Sequence, residues 1–248
     1  MDLQPNMTVV LSQRASRPIN YTLNSVSHEH QGVWSCYDDG TLPHVSSMPW
    51  HHFLWVEDDS AHVTIHVLSH NRTQFLHNEL LTVGCRLPQG EHDHWRLMRF
   101  NKWEGMLEAC PGAQVSGEVL SCSERMVYPW ADRLYWCQSD LGQRSNALNI
   151  SNTVISSVLE APPLPVTEGD DIPLRCLKRD RKTGNVAPAS AIFKHDDQYI
   201  SLSNDGTFTV KNVTKENEGL YECRVEDEVY TGKVYVTVRA RRQEQKGH

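Results

Sequence analysis

One short pattern occurs three times in this chain, and it constrains the fold more than anything else the chain contains. It reads Gly219-Leu220-Tyr221-Glu222-Cys223 near the C-terminus, Arg133-Leu134-Tyr135-Trp136-Cys137 in the middle and Gly32-Val33-Trp34-Ser35-Cys36 near the start. An aromatic residue two places before a cysteine lies on the same side of a strand, so both side chains face one core. Glycine two places earlier admits the tight bend that leads into such a strand. The tyrosine hydroxyl then ties the corner, and the cysteine reaches across to the opposite sheet. Cys36, Cys137 and Cys223 recur at intervals close to roughly 100 residues, the length of one antiparallel two-sheet sandwich. Arg133 stands where the other two copies carry glycine.

Partner cysteines lie upstream of the last two copies. Cys85 precedes Cys137 by 52 residues and Cys176 precedes Cys223 by 47. Leu81, Val83 and Cys85 alternate along a half-buried strand, and Ile172, Leu174 and Cys176 do the same. Trp95 and Phe193 follow where a core aromatic packs on the bridge. Each long bridge is worth roughly 4 kcal/mol in the chain-entropy account. Between Cys85 and Cys137 sit Cys110 and Cys122, whose spacing predicts a further bridge around a small loop. The fold class expected is all-β, as tandem immunoglobulin-like β-sandwiches with the first incomplete.

Residues 1–58 are expected to hold the C-terminal half of the first domain, with Trp50 to Val56 as its last strand. Residues 59–153 form the second domain, 154–240 the third, and 241–248 a basic disordered tail. Asn204-Asp205-Gly206 predicts a hairpin turn in the third. Cys36 has no cysteine before it, so it is expected unpaired, its partner lying ahead of Met1. The alternative is a short extension of different fold with a free thiol.

Composition narrows the function. Asn6, Asn20, Asn71, Asn149 and Asn212 each open a glycosylation sequon, and with seven cysteines they point outside the cytosol. A net charge of -7 argues against nucleic acid as a partner. No apolar run reaches the roughly 18 residues of a membrane span. Thirteen histidines, densest at His51-His52 and His92-Asp93-His94, supply no third ligand at metal spacing, so neither metal nor cofactor is expected. No nucleophile elbow or phosphate-binding glycine loop occurs, which argues against an enzyme.

Alternation also suggests a binding surface. Trp95, Leu97, Tyr135 and Cys137 point inward, which sends Arg96, Met98, Phe100 and Trp136 to the outer face of the same sheet. Two readings stand for that apolar patch: a ligand contacts it, or a neighbouring segment covers it. Under the first, Trp136→Ser weakens binding and leaves the domain folded. The third domain places Ile192, Lys194, Glu222 and Arg224 at the matching positions, a mostly polar face.

Asn71-Arg72-Thr73-Gln74, Trp95-Arg96-Leu97-Met98-Arg99-Phe100, the pair Cys110 and Cys122, and Tyr135-Trp136-Cys137-Gln138-Ser139 together resemble the second domain of fish Fc receptor-like proteins. Leu159-Glu160-Ala161-Pro162, Phe193-Lys194-His195-Asp196 and Glu218-Gly219-Leu220-Tyr221-Glu222-Cys223 continue the likeness into the third. The resemblance implies extracellular domains on leukocytes, anchored or secreted. It further implies immunoglobulin Fc or another cell-surface protein as partner, and a membrane-anchored signalling subunit. An adhesion or orphan immune-receptor module with a non-antibody ligand is the alternative.

Overall fold

Alternating apolar strands separated by turns become an all-β chain, and no α-helix occurs among the described residues. The structure is a computed structural model that describes residues 7–11, 19–23, 26–36, 50–56, 62–90, 94–127, 132–226, 228 and 231–241. Asn6, the acidic linker at 57–59, His92, Asp93 and the tail from 242 lie outside those residues, as do the side chains of Asn20 and Cys36. The first segment carries two hairpin ladders, β1 (Met7–Leu11) with β2 (Ile19–Leu23) and β3 (Gly32–Cys36) with β4 (Trp50–Leu54).

The middle sandwich follows. Its strands are β5 (Ile65–Val67), β6 (Gln74–Leu76), β7 (Leu80–Arg86), β8 (Trp95–Asn101), β9 (Met106–Ala109), β10 (Gln114–Ser116), β11 (Val119–Arg125), β12 (Arg133–Ser139) and β13 (Leu148–Thr153). One sheet runs β10-β11-β7-β5 and the other β6-β13-β12-β8-β9, antiparallel throughout except for β6 beside β13. Val83, Trp95, Leu97 and Tyr135 pack between the sheets around the Cys85–Cys137 bridge. A second bridge, Cys110–Cys122, joins the end of β9 to β11.

The C-terminal sandwich comprises β14 (Ser157–Glu160), β15 (Val166–Thr167), β16 (Ile172–Arg179), β17 (Val186–Pro188), β18 (Ala191–His195), β19 (Gln198–Ser203), β20 (Thr207–Val210), β21 (Gly219–Val225), β22 (Gly232–Val236) and β23 (Val238–Arg239). Strand β16 pairs with β14, β17 and β20 on one side of the core, and β19-β18-β21-β22 form the other. Cys176–Cys223 crosses between them beside Phe193. These are tandem immunoglobulin-like sandwiches.

Two expectations change here. Asp205 does organise a turn, accepting bonds from the Ser203 hydroxyl and the Thr207 N–H. Yet β19 pairs with β18 while β20 pairs with β16, so the chain switches sheets there and forms no hairpin. Arg241, expected at the start of a loose tail, donates to the Glu168 carbonyl and pairs with Asp170 at 2.9 Å.

The sandwiches meet at a packed elbow. Leu76 from β6 joins Val158 and Leu177 in one buried cluster with Val186 against it. The Leu159 N–H donates to Gln74 Oε1, and Arg179 donates to the His77 carbonyl at 2.8 Å. Arg72 is buried behind this contact. It bonds both Glu79 oxygens and the Gln74 carbonyl, and its guanidinium lies over Phe75. Within Asn71-Arg72-Thr73-Gln74, Gln74 therefore contacts the next domain and Arg72 supports it.

Candidate protein-binding surface

Met98, Phe100 and Trp136 do meet on one outer face, as strand alternation requires. Antiparallel register sets Trp136 opposite Met98 and Leu134 opposite Phe100. They form a cluster, but the cluster is closed. The Phe53 ring lies tilted 5.3 Å from Phe100 and 5.1 Å from Trp136, and Trp55 lies 5.4 Å from Trp136. Phe100 is 0% exposed and Trp136 2%, while Met98 is partly buried against them. Of the two readings of this patch the structure shows cover by a neighbouring segment: β4 and the residue after it supply the covering aromatics. Aromatic side chains bury 150–250 Å² each, which is why this face gains more from a cis partner than from water. Arg96 alone stays open, 3.2 Å from Asp140. Phe53 and Trp55 alternate in the sequence, and that was the available signal for the covering strand.

Beneath this face lies a group of ionised side chains. Glu124 on β11 accepts from Arg133 at 3.0 Å and from the Tyr135 hydroxyl at 2.7 Å, and also pairs with Arg99. Arg99 in turn bonds Glu108. Burial, then the Glu124 charge, holds the Tyr135 phenol well above its usual range. Burial alone would lower the Arg99 value; the bonds to Glu108 and the charge of Glu124 outweigh it, and the net direction is up. Neither group is poised to exchange a proton near neutrality, so this cluster anchors strands. Cys110, Cys122 and Glu124 bring ligand-type atoms within 4.8 Å of one another, but the two sulfurs are joined in a disulfide and offer no thiolate.

The matching face of the C-terminal sandwich is open among the described residues. Its outward side chains are Ile192 and Lys194 on β18, Glu222 and Arg224 on β21, and Lys233 and Tyr235 on β22. They enclose a recess of about 180 Å³ lined by Ile192, Lys194, Glu222, Arg224 and Thr231. Tyr199, Leu202 and Tyr235 stand exposed on the same face. Glu222 is buried and pairs with Lys233. Asn71, Asn149 and Asn212 are all at the surface, where a glycan has room. Lys102 reaches the Asn149 side chain at 3.0 Å.

Residues 156–240 match the family of immunoglobulin domains. The match spans the C-terminal sandwich. The structure also aligns with solved chains, each fully covered by the match. A teleost fish polymeric Ig receptor ectodomain aligns with 73% of this chain at 12% identity and a TM-score of 0.31. Dpr2 Ig1-Ig2, solved in complex with DIP-Theta Ig1-Ig3, aligns with 72% at 12% and 0.26. A chimeric titin Z1Z2 tandem aligns with 71% at 14% and 0.27. No curated protein matches the sequence.

Proposed function

We propose that this chain is the extracellular ligand-binding region of an Fc receptor-like immune receptor, and that it binds immunoglobulin Fc by protein contact. The observation that carries the reading is the open outer face of the C-terminal sandwich. There Tyr199, Leu202 and Tyr235 are exposed on the same outer face as Arg224, and β18 and β21 beneath them match the two strands of the middle sandwich that are covered in cis. Tyrosine and arginine dominate the energetics of protein interfaces, and exposed apolar groups rimmed by charge mark such surfaces. Three disulfides suit an oxidising, extracellular setting. The resemblance in Asn71 to Gln74 and in Tyr135 to Ser139 supplies Fc as the partner. Surface plasmon resonance against isolated Fc of each antibody class from the source organism tests it. Saturable binding is expected with at least one class. Absence of binding to every class at about 50 micromolar, a weak affinity on the scale of such complexes, would sink the Fc assignment.

A further inference from the structure

We propose that the recess bounded by Lys194, Arg224 and Ile192 is the docking point for an acidic side chain of a partner protein, set among apolar neighbours. The proposal rests on the reading of this face as a protein-binding surface, and it stands whether or not the partner is Fc.

Register makes the comparison between the sandwiches exact in position. Leu97 pairs with Cys137 and Phe193 with Cys223, so Met98 and Trp136 occupy the sites taken by Lys194 and Glu222. Arg96 and Gln138 correspond in the same way to Ile192 and Arg224. One lattice of positions therefore carries two chemistries. Where it is apolar, Phe53 and Trp55 cover it. Where it is charged, no described residue covers it, and apolar aromatics would not suit it.

Charge selects the occupant. Of the three cations on this face, Lys233 is held by Glu222. Lys194 and Arg224 form no salt bridge with any described residue, so both cations on the walls of the recess are left for a partner's carboxylate. Two copies of this chain docked through the face would set like charges together, which argues against self-association. A nucleic acid would meet a chain of net charge -7. A carboxylate entering the recess would meet Lys194 and Arg224 on its walls, with Ile192 against its methylene groups. Arginine suits this role because its planar fork matches a carboxylate. Tyr199, Leu202 and Tyr235 on the same face would pack on the apolar residues that flank the acid.

The test is a selection of random peptides, displayed on phage, against the whole chain, followed by titration of the enriched peptides in solution. Peptides carrying Asp or Glu beside an aromatic or aliphatic residue are expected to dominate. Their affinity should fall at least about tenfold in the variant Lys194→Gln with Arg224→Gln, and weaken with added salt. Thr231→Trp, which fills the recess without changing charge, should abolish the same binding. Enrichment of basic or uncharged peptides, or acidic peptides that bind all variants equally, overturns the proposal. The same variants separate it from the Fc assignment. Fc binding that survives both substitutions, with no peptide binding that depends on them, removes this site and leaves Fc as the ligand. Peptide binding that depends on Lys194 and Arg224 in a chain that binds no Fc removes only the antibody.

Discussion

Three aromatic residues at equivalent positions meet the same local need in different ways. In the C-terminal sandwich the Tyr221 hydroxyl donates to the Asn217 carbonyl at 2.8 Å, four residues back. In the first segment the Trp34 indole N–H donates to the His30 carbonyl at 2.9 Å, again four residues back. Each aromatic is preceded by a 3₁₀ turn and by a glycine in a conformation that other residues avoid, Gly219 at φ 157° and Gly32 at φ 148°. The middle copy has Arg133 in place of that glycine, and Tyr135 turns instead to Glu124. Glu124→Gln is therefore expected to destabilise the middle sandwich by about 3 kcal/mol, because Arg99 and Arg133 lose the charge they are buried against. Tyr221→Phe should cost only about 1 kcal/mol, the net worth of one hydrogen bond. Urea unfolding of both variants checks the contrast, and equal losses would contradict it. Tyr221 also predicts an alkaline limit. Burial, then the Asp196 charge, pushes its phenol up to about 12 from an unperturbed 10.0. A raised acid is stabilising below pH 10 and loses that contribution as pH climbs to about 12. Phenolate absorbance of the folded chain against Tyr221→Phe should show the late step.

Among the elements, β12 shows most plainly what local pattern leaves open. All its residues except Gln138 are buried, although alternation assigns Leu134 and Trp136 to the outside. The outer side is buried because β4 delivers Phe53 to it and Trp55 follows. Trp136→Ser should consequently act on stability. A buried aromatic cut to a small side chain costs about 3–5 kcal/mol, and a thermal or urea unfolding curve will show it. Phe53→Ala with Trp55→Ala should instead leave the sandwich folded and open the patch, read as new binding of a hydrophobic dye. A double variant that binds no more dye than the parent would mean that the covering contact is not what keeps this face dry.

At the scale of the molecule, the elbow between the sandwiches decides how the open face is presented. Leu76, Val158 and Leu177 are buried together where the two domains meet, and Gln74 satisfies the Leu159 N–H across the joint. Leu76→Asp is expected to release the elbow without unfolding either sandwich. Small-angle scattering should then report a larger radius of gyration, and hydrogen exchange should speed at Ser157–Glu160. His70 stands beside Phe75 at the same joint, with its imidazole held below 6.5 by burial and by the Arg72 charge. A base lowered by folding gives stability that is present above pH 6.5 and lost as pH falls through its folded value. Acidification should therefore loosen the elbow, and an NMR titration should place His70 below 6.5.

Strand identity and the side each residue takes follow from local periodicity, which is why the repeat around Tyr221, Tyr135 and Trp34 was enough to read sandwiches from the chain, whereas the sheet switch between β19 and β20 was not legible in it. Spacing alone also proposed Cys110 beside Cys122, because a bridge is a matter of chain length and one compartment. What covers a face is a different kind of fact. Periodicity tells that Trp136 and Glu222 point away from their own cores; it carries no information on a segment some eighty residues away. Only the tertiary structure decided that Phe53 and Trp55 close the first face, and that no described residue closes the second, with Lys194 and Arg224 upon it. The reason is physical: burial is a property of two surfaces, and a strand specifies one.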